Sequence, residues 1–172
     1  EGSARWEFRY LRAMLKRDPR INATFIATRA QPELAQNSSE YIAEFPEDRE
    51  EAFSYDLVIL GDVDSSFFSA EAFLRLEELV KERGGSLLML CGSRFAPASY
   101  AGTPVERMLP VEFDPEADWE DVDDSVYPVL TPEGRSSLVM TLENDQDEND
   151  LVWSRVAPLD RIPPLLAPRP GA

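Results

Sequence analysis

The sequence predicts an α/β domain built around a mainly parallel β-sheet. Two short apolar runs, at 57–60 and 86–90, are typical of strands that are buried on both faces. An amphipathic helix over 69–83 lies between them, which makes a βαβ unit with a right-handed crossover and parallel strands. Because the chain has 172 residues, 43% of them apolar, we expect one domain over 1–172 with a substantial core.

The first predicted element is a helix over 5–18. Its apolar side chains recur at helical spacing and are Trp6, Tyr10, Leu11, Met14 and Leu15. Its basic side chains follow one another at spacings of four, three and four, and are Arg5, Arg9, Arg12 and Lys16. We predict that this basic side serves contacts more than folding, because exposed ion pairs contribute only about 0–1 kcal/mol each.

The next elements have clear boundaries. The stretch 21–29, INATFIATR, predicts a strand, and the polar stretch 30–54 predicts a loop with one short helical turn. The helix over 69–83 has Ser69 placed to cap its start and Gly84 placed to end it. Its apolar face consists of Phe73, Leu76, Leu79 and Val80.

The second half of the chain is acidic and rich in turn residues. After a short helical turn at 105–109, residues 111–150 contain fourteen acids and one basic residue. An EF-hand calcium loop requires glycine at its sixth position and glutamate at its twelfth. The acidic runs that start at Asp114 and Asp145 lack both, so we predict solvated acidic loops and no metal site. The proline-rich tail predicts an extended edge or connector.

The net charge of −16 argues against some classes of partner. Residues 1–20 carry a net charge of +3, which leaves −19 on the remainder. Such a field repels nucleic-acid phosphates, so we predict no nucleic-acid partner. The chain also has no glycine-rich phosphate loop and no dinucleotide fingerprint, and we expect no cofactor.

The chain opens almost directly on a helix, although a sheet of this kind ordinarily begins with a strand. We therefore expect that the segment belongs to a longer polypeptide and that a sheet built from residues 1–172 lacks one strand. No apolar stretch approaches the roughly 18 residues that span a bilayer. Any membrane attachment is expected through parts of the parent protein outside this segment.

The two apolar strands resemble the core of the class I glutamine amidotransferase-like superfamily. The matching residues are YDLVILGDVD at 55–64 and GGSLLMLCGSRF at 84–95, with the helix between them. RWEFRYLRAML, RFAPASYAGTPVERMLPVEF and LTPEGRSSL further resemble amidotransferase-like domains of large bacterial membrane proteins that also carry a von Willebrand factor A-like domain. The resemblance covers most of the chain, 5–170, and implies a flavodoxin-like three-layer sandwich.

The resemblance places Cys91 at the turn where active superfamily members carry their nucleophile. Such a cysteine needs a histidine base and a carboxylate that orients it, and its turn reads Gly-x-Cys-x-Gly. This chain has Met89 and Ser93 at the two glycine positions and contains no histidine. An unassisted thiol has a pKa of about 8.5 and is mostly protonated at neutral pH. We predict that Cys91 packs at a strand end and does not perform glutaminase chemistry within this segment.

Two further groups of residues are candidates for ligand binding. They are Gly61, Asp62 and Asp64 after the first apolar strand, and Gly92, Ser93 and Arg94 after the second. The first group lies where open α/β sheets place ligands and could hold a cation or a hydroxyl group. The second group could cradle an anion with its backbone N–H groups. The alternative interpretation is structural, with both groups capping their own loops and the arginine paired with a nearby acid.

We predict a non-catalytic interaction or ligand-sensing module of a larger, membrane-anchored bacterial protein. Its partner is expected to be another protein or another domain of the parent chain. The alternative is a cysteine-dependent hydrolase or amidotransferase in which a histidine from outside the segment assists Cys91. A structural spacer between domains is the third interpretation.

Overall fold

The computed structural model describes residues 1–3, 5–28 and 39–170. The chain divides into two compact units. Unit 1 contains Glu1–Ala117 and Leu165–Ala172, and unit 2 contains Asp118–Pro164. Both units combine helices with short strands, so the predicted α/β class is confirmed.

Unit 1 contains the predicted βαβ unit. Its helices are α1 (Trp6–Arg17), α2 (Arg49–Ala52), α3 (Ala70–Glu78) and α4 (Pro104–Met108). Its strands are β1 (Leu57–Leu60), β2 (Ser86–Met89), β3 (Val111–Phe113) and, near the end of the chain, β6 (Leu165–Pro168). β1 and β2 pair in parallel without a register shift, which confirms the pairing predicted from the two apolar runs.

The connecting helix α3 begins where the sequence predicts, and a π-helical turn after it carries the helical segment to its predicted end at residue 83. Ser69 Oγ accepts a hydrogen bond from the N–H of Ala72 at 3.0 Å and caps the first turn. After α3 the chain makes a π-helical turn at Leu79–Arg83. Gly84 ends it with a φ of +77°, a left-handed conformation that residues with a side chain rarely adopt.

The core of unit 1 gathers around α3. Its largest fully buried side chains are Leu76, Leu79, Pro97, Tyr100 and Val105. The residues after β2 contribute three of these five, so the loop that carries the candidate site is also part of the core. Substitutions in that loop therefore act on stability as well as on any ligand.

The strand predicted at 21–29 is wrong. Phe25 makes one isolated parallel bridge to Tyr41, and in the described part of the chain β1 pairs only with β2. β3 and β6 form a separate antiparallel pair. The described residues of unit 1 therefore form two small sheets in place of one large parallel sheet. Residue 29 and the first nine residues of the loop predicted at 30–54, residues 30–38, lie outside the described residues.

Several apolar side chains are more exposed than the sequence predicts. Leu57 in β1 and Leu88 in β2 are 46% and 45% exposed, although a central parallel strand is buried on both faces. None of the α1 residues is buried, and Trp6, Tyr10 and Met14 are exposed. Among the described residues, no layer covers these positions as the predicted three-layer sandwich would.

The prediction that the acidic region consists of loops is wrong for unit 2. The acidic stretch contains β4 (Glu120–Val126), α5 (Pro132–Arg135) and α6 (Gln146–Trp153), and β5 (Leu159–Ile162) pairs antiparallel with β4. Asp145 caps α6 by accepting hydrogen bonds from the N–H groups of Asp147 and Glu148. Carboxylates favour the first turn of a helix because they interact with its positive end, so this acidic run is well suited to start one.

Candidate functional site

The two groups of predicted ligand residues do come together. β1 and β2 are parallel, so their carboxyl ends lie at the same edge of the sheet, and each strand is followed by one group. The N–H of Arg94 donates a hydrogen bond to Asp62 Oδ2 at 3.2 Å, which joins the two loops directly. The sequence therefore predicts the location of this cluster correctly.

Asp62 is buried in this cluster and its carboxylate is fully engaged. Asp62 is 3% exposed. Besides the bond from Arg94, Oδ1 accepts hydrogen bonds from the N–H of Phe95 at 2.8 Å and from that of Ala96 at 2.9 Å. Three backbone donors satisfy a buried charge that would otherwise be costly. Asp62 thus fixes the loop after β2, as the structural interpretation of the sequence expects.

Of the three residues predicted to cradle an anion, only Arg94 donates its N–H to one, and that anion is the Asp62 carboxylate. The backbone N–H groups of Arg94, Phe95 and Ala96 converge on one carboxylate, as a nest of amides does on a bound anion. The N–H of Gly92 donates to the carbonyl oxygen of Ala96 at 3.1 Å and closes the same turn. The anion that this loop holds belongs to the protein itself.

Gly92 is required by this arrangement. A Cβ built on Gly92 would lie 2.3 Å from Asp62 Cγ and 2.4 Å from Oδ2. The sequence predicts that a side chain here would crowd the turn, and the structure identifies the carboxylate of Asp62 as the group that it would meet. In the second group the side chains of Ser93 and Arg94 are exposed, and the Arg94 guanidinium lies 5.9 Å from the centroid of the Phe95 ring.

Asp64 caps a turn. Its side chain accepts a hydrogen bond from the N–H of Ser66 at 2.9 Å at the start of the 3-10 turn Ser65–Phe67. Hydrogen bonds from the Ser66 backbone and side chain lower the pKa of the Asp64 carboxyl. Asp64 therefore carries its negative charge at neutral pH while acting as a cap.

Arg5 is the site residue that sequence reasoning misses. Its guanidinium forms two hydrogen bonds with the Glu1 carboxylate, at 3.0 and 3.1 Å, and donates from Nη1 to the carbonyl oxygen of Cys91 at 3.0 Å. The side chains of Arg5 and Glu1 are 20% and 5% exposed. Arg5 thus differs from Arg9 and Lys16, two exposed residues with which its spacing groups it. Its only sequence signal is the i,i+4 spacing to an acid.

Cys91 lies at the end of β2 and is partly buried. The pKa of its thiol is raised, chiefly because burial disfavours the charged thiolate. A backbone hydrogen bond acts in the opposite direction. The negative charge of Asp62 raises the pKa further, and the positive charge of Arg5 lowers it. Because the nucleophile of cysteine chemistry is the thiolate, this environment opposes activation. The Arg5 guanidinium bonds to the backbone carbonyl oxygen at this position.

Tyr100 is a buried polar residue that the sequence does not single out. It is 0% exposed, and its hydroxyl has no hydrogen-bond partner among the described residues. Burial, and then the negative charges of Asp64 and Asp62, raise the pKa of Tyr100 well above its usual range. The hydroxyl is therefore protonated at any physiological pH.

Unit 1 also contains an apolar cavity of about 640 Å³ beside β1. One wall is β1, another is the segment 21–28, and α1 contributes Phe8, Leu11 and Leu15. Glu1 and Gly61 also line this cavity. We call it the β1 cavity.

Comparisons with family models, with curated proteins and with solved structures find no match. Within the described ranges, no group of three or more histidine, cysteine or acidic side chains is arranged to hold a metal ion. Among the helices described, none has the length and apolar character to cross a membrane.

Proposed function

We propose that this chain is a non-catalytic interaction module with an amidotransferase-like scaffold, and that it binds another protein through the exposed face of α1. The observation that carries the proposal is the row of Trp6, Tyr10 and Met14, which are 66%, 69% and 59% exposed. These residues are four apart, so they form one stripe along the helix. Tryptophan, tyrosine and methionine are enriched at the centres of protein interfaces.

Basic side chains accompany this stripe. Arg9 and Arg17 are exposed and lie three residues after Trp6 and Met14 respectively. The Arg9 guanidinium is 5.3 Å from the centroid of the Trp6 ring, which in turn stacks on Tyr10 at 6.1 Å. The partner that fits this surface is a protein with an apolar groove bordered by acidic residues, because opposite charges steer and orient association.

The carboxyl edge of the sheet supports a non-catalytic role. Asp62 is occupied by three backbone N–H groups, and burial opposes ionisation of Cys91. Active superfamily members use an activated thiol and free backbone donors for chemistry at this edge. Here the pKa of the thiol is raised, and the backbone donors bind the carboxylate of Asp62. A loop that is locked in this way is suited to holding a scaffold rigid.

We also propose that unit 1 is a flavodoxin-like arrangement. The support comes from the parallel β1–β2 pair, the α3 crossover between them, and the placement of polar loops at their carboxyl ends. The exposed Leu57 and Leu88 are then positions that a complete sandwich would cover.

Site-specific photo-crosslinking tests the interaction surface. A photoreactive phenylalanine derivative is placed at Tyr10 of the chain and, as a matched control, at Tyr127, which is 60% exposed. We expect one protein to be captured from the first position and not from the second. The captured protein is then purified and titrated against the chain, and Trp6→Ala is expected to weaken binding at least tenfold.

Two further measurements make the test decisive. Arg9→Glu with Arg17→Glu should weaken the same complex and remove its salt dependence, while the circular dichroism spectrum stays unchanged. Identical capture from both tyrosine positions, or an affinity unaffected by Trp6→Ala, would refute the proposal. Glutamine hydrolysis that disappears in Cys91→Ala would instead support the enzymatic alternative.

A further inference from the structure

We infer that the partner of α1 is a second copy of this chain, and that the exposed face of α1 in one copy binds an apolar patch on unit 2 of the next copy. The inference rests on the proposed function, because it names the protein that α1 binds. The patch consists of Leu138, Val139, Met140 and Leu142, and we call it the unit 2 patch.

The side chains of the unit 2 patch are exposed although they are apolar. Leu138 and Val139 are 88% and 83% exposed, and Met140 and Leu142 are exposed as well. A single exposed apolar residue is ordinary, but four of them within five consecutive positions place apolar area together on the surface. Such patches mark sites at which another molecule binds.

Helix α6 holds the backbone of the unit 2 patch in place. Asn149 of α6 is buried, and its Oδ1 accepts hydrogen bonds from the N–H groups of Leu142 at 2.7 Å and Glu143 at 3.1 Å. Nε1 of Trp153, also in α6, donates a hydrogen bond to the carbonyl oxygen of Met140 at 2.9 Å. The patch is therefore an ordered platform, and a surface that is ordered before binding loses less conformational entropy in the complex.

Acidic side chains lie close to the unit 2 patch along the chain. Unit 2 contains twelve acidic residues and three arginines, a net charge of −9. The ion pairs described for unit 2 use Asp121 and Asp150, so the other exposed acids near the patch have no charged partner among the described residues. These acids are Glu133, Glu143, Asp147 and Glu148. An apolar surface accompanied by acidic residues is the chemistry that the proposed function requires of the partner of α1.

The charge of α1 is opposite to that of unit 2. α1 contains four basic residues and one acid, a net charge of +3. Arg12 and Lys16 pair with Glu40, whereas Arg9 and Arg17 form no ion pair with a described residue. Unpaired positive charge therefore lies beside the exposed apolar row of α1. Complementary charge of this kind orients two proteins as they associate, so α1 fits the acidic surroundings of the unit 2 patch.

The proposed contact joins two different surfaces, so it is heterologous. Each copy offers one α1 and one unit 2 patch. A heterologous contact continues from copy to copy and forms chains or rings, in contrast to a symmetric contact that ends at a dimer. Removal of either surface therefore stops the series in a defined way, which makes the contact open to a direct test.

Complementary variants test the contact by sedimentation equilibrium. Trp6→Ala with Tyr10→Ala removes the α1 surface and keeps the patch, and Leu138→Ser with Val139→Ser does the reverse. The wild type is expected to associate progressively between about 10 and 500 µM, the range in which small interfaces form. Each double variant alone should associate at least tenfold more weakly, while an equimolar mixture of the two should form 1:1 dimers and nothing larger.

Two controls accompany these variants. Leu166→Ser replaces an exposed apolar residue of β6, outside both surfaces, and should associate as the wild type does. The four positions changed in the double variants are exposed, so their circular dichroism spectra should match that of the wild type.

Charge reversal gives a second readout. Arg9→Glu with Arg17→Glu reverses two charges of α1, and Glu133→Lys with Glu143→Lys reverses two charges near the patch. Each protein alone should associate at least tenfold more weakly than the wild type, because its two surfaces repel each other more or attract each other less. Mixed together, the two proteins should regain association to within about threefold of the wild type.

Several results would overturn the inference. A wild type that stays monomeric over the whole range would do so, as would a mixture of the two apolar variants that forms no dimer. Self-association that Leu138→Ser with Val139→Ser leaves unchanged would show that α1 binds a different surface. If one of these results occurs while Tyr10 captures another protein and Trp6→Ala weakens that complex, the inference fails and the proposed function stands. No capture at Tyr10, and no effect of Trp6→Ala on any complex, would refute the proposed function together with the inference.

Discussion

The α-carbon of Gly92 lies so close to the Asp62 carboxylate that a Cβ on residue 92 would stand 2.3 Å from Asp62 Cγ. The two residues come from loops that follow different strands, and the conformation of each loop depends on the residue in the other. The carboxylate needs the open side of a glycine to enter the turn, and the turn needs the carboxylate to satisfy its N–H groups. This pair therefore controls the stability of the candidate site.

Asp62→Ala should destabilise the protein by about 3 kcal/mol or more, because it leaves three backbone N–H groups without their charged acceptor. Asp62→Asn should cost less, since one carbonyl oxygen remains. Asp64→Ala is the matched control and should cost only about 1 kcal/mol, the usual value of a turn cap. Urea unfolding measures all three. Equal effects of the two alanine substitutions would contradict the role given to Asp62.

Gly92→Ala should destabilise the chain through the contact with Asp62, by about 1–3 kcal/mol for an overpacked site. In the double variant Asp62→Ala with Gly92→Ala, the added methyl group has room, so the two costs should not add. Gly134→Ala serves as the control, because its Cβ would meet only ordinary contacts of 3.4 Å or more. Additive costs in the double variant would show that the strain has another origin.

Cys91 should react slowly with iodoacetamide at neutral pH. Burial of the thiol, offset in part by its backbone hydrogen bond, and the nearby charge of Asp62 hold its pKa above the usual value. The rate should rise with pH only above the range in which a model thiol titrates, and it should match the model thiol once the protein is unfolded in denaturant. Labelling of the folded protein faster than the model thiol at pH 7 would contradict this result and reopen cysteine catalysis.

Tyr100→Phe should leave the fold intact and stabilise it by up to about 1 kcal/mol at neutral pH, because it removes a buried hydroxyl that has no partner in the described structure. Tyr10→Phe, at an exposed position, is the control and should have no effect. A loss of stability in Tyr100→Phe would reveal a hydrogen bond that the hydroxyl makes in solution.

Tyr100 should also make the protein sensitive to alkali. Its pKa in the folded state is raised above the unfolded value of about 10. The stability that it contributes is therefore complete below the unfolded pKa and is lost as the pH rises towards the folded pKa. The free energy of unfolding of the wild-type protein should fall above pH 10, and in Tyr100→Phe this fall should be smaller. An identical alkaline profile in both proteins would contradict the assignment.

Sequence patterns predict the features of this fold that are local. The run LVIL, the cap Ser69 and the terminator Gly84 act within a few residues, and the βαβ unit that they predict is confirmed. The meeting of the loops after β1 and β2 follows from parallel pairing alone. The location of the site was therefore accessible to sequence reasoning.

The features that the sequence does not predict depend on distant partners. Arg5 donates a hydrogen bond to the carbonyl oxygen of Cys91, 86 residues away. Its spacing along the helix groups it with exposed basic residues and does not indicate this contact. β4 is acidic and reads as a loop, yet β5 pairs with it and the Arg161 guanidinium lies 2.6 Å from the Asp121 carboxylate. The strand predicted at 21–29 fails because its edge towards β1 has no partner in the described chain beyond Glu1.

The pairing of β3 with β6 has a consequence for how this chain can change. Unit 2 leaves unit 1 shortly after Phe113 and returns at Leu165, and these two residues are partners in one antiparallel ladder. An excursion that starts and finishes on neighbouring strands behaves as an insertion, which can be lengthened, shortened or exchanged while its host keeps its own core. Unit 2 is thus the part of the molecule that evolution or an engineer can exchange for another segment.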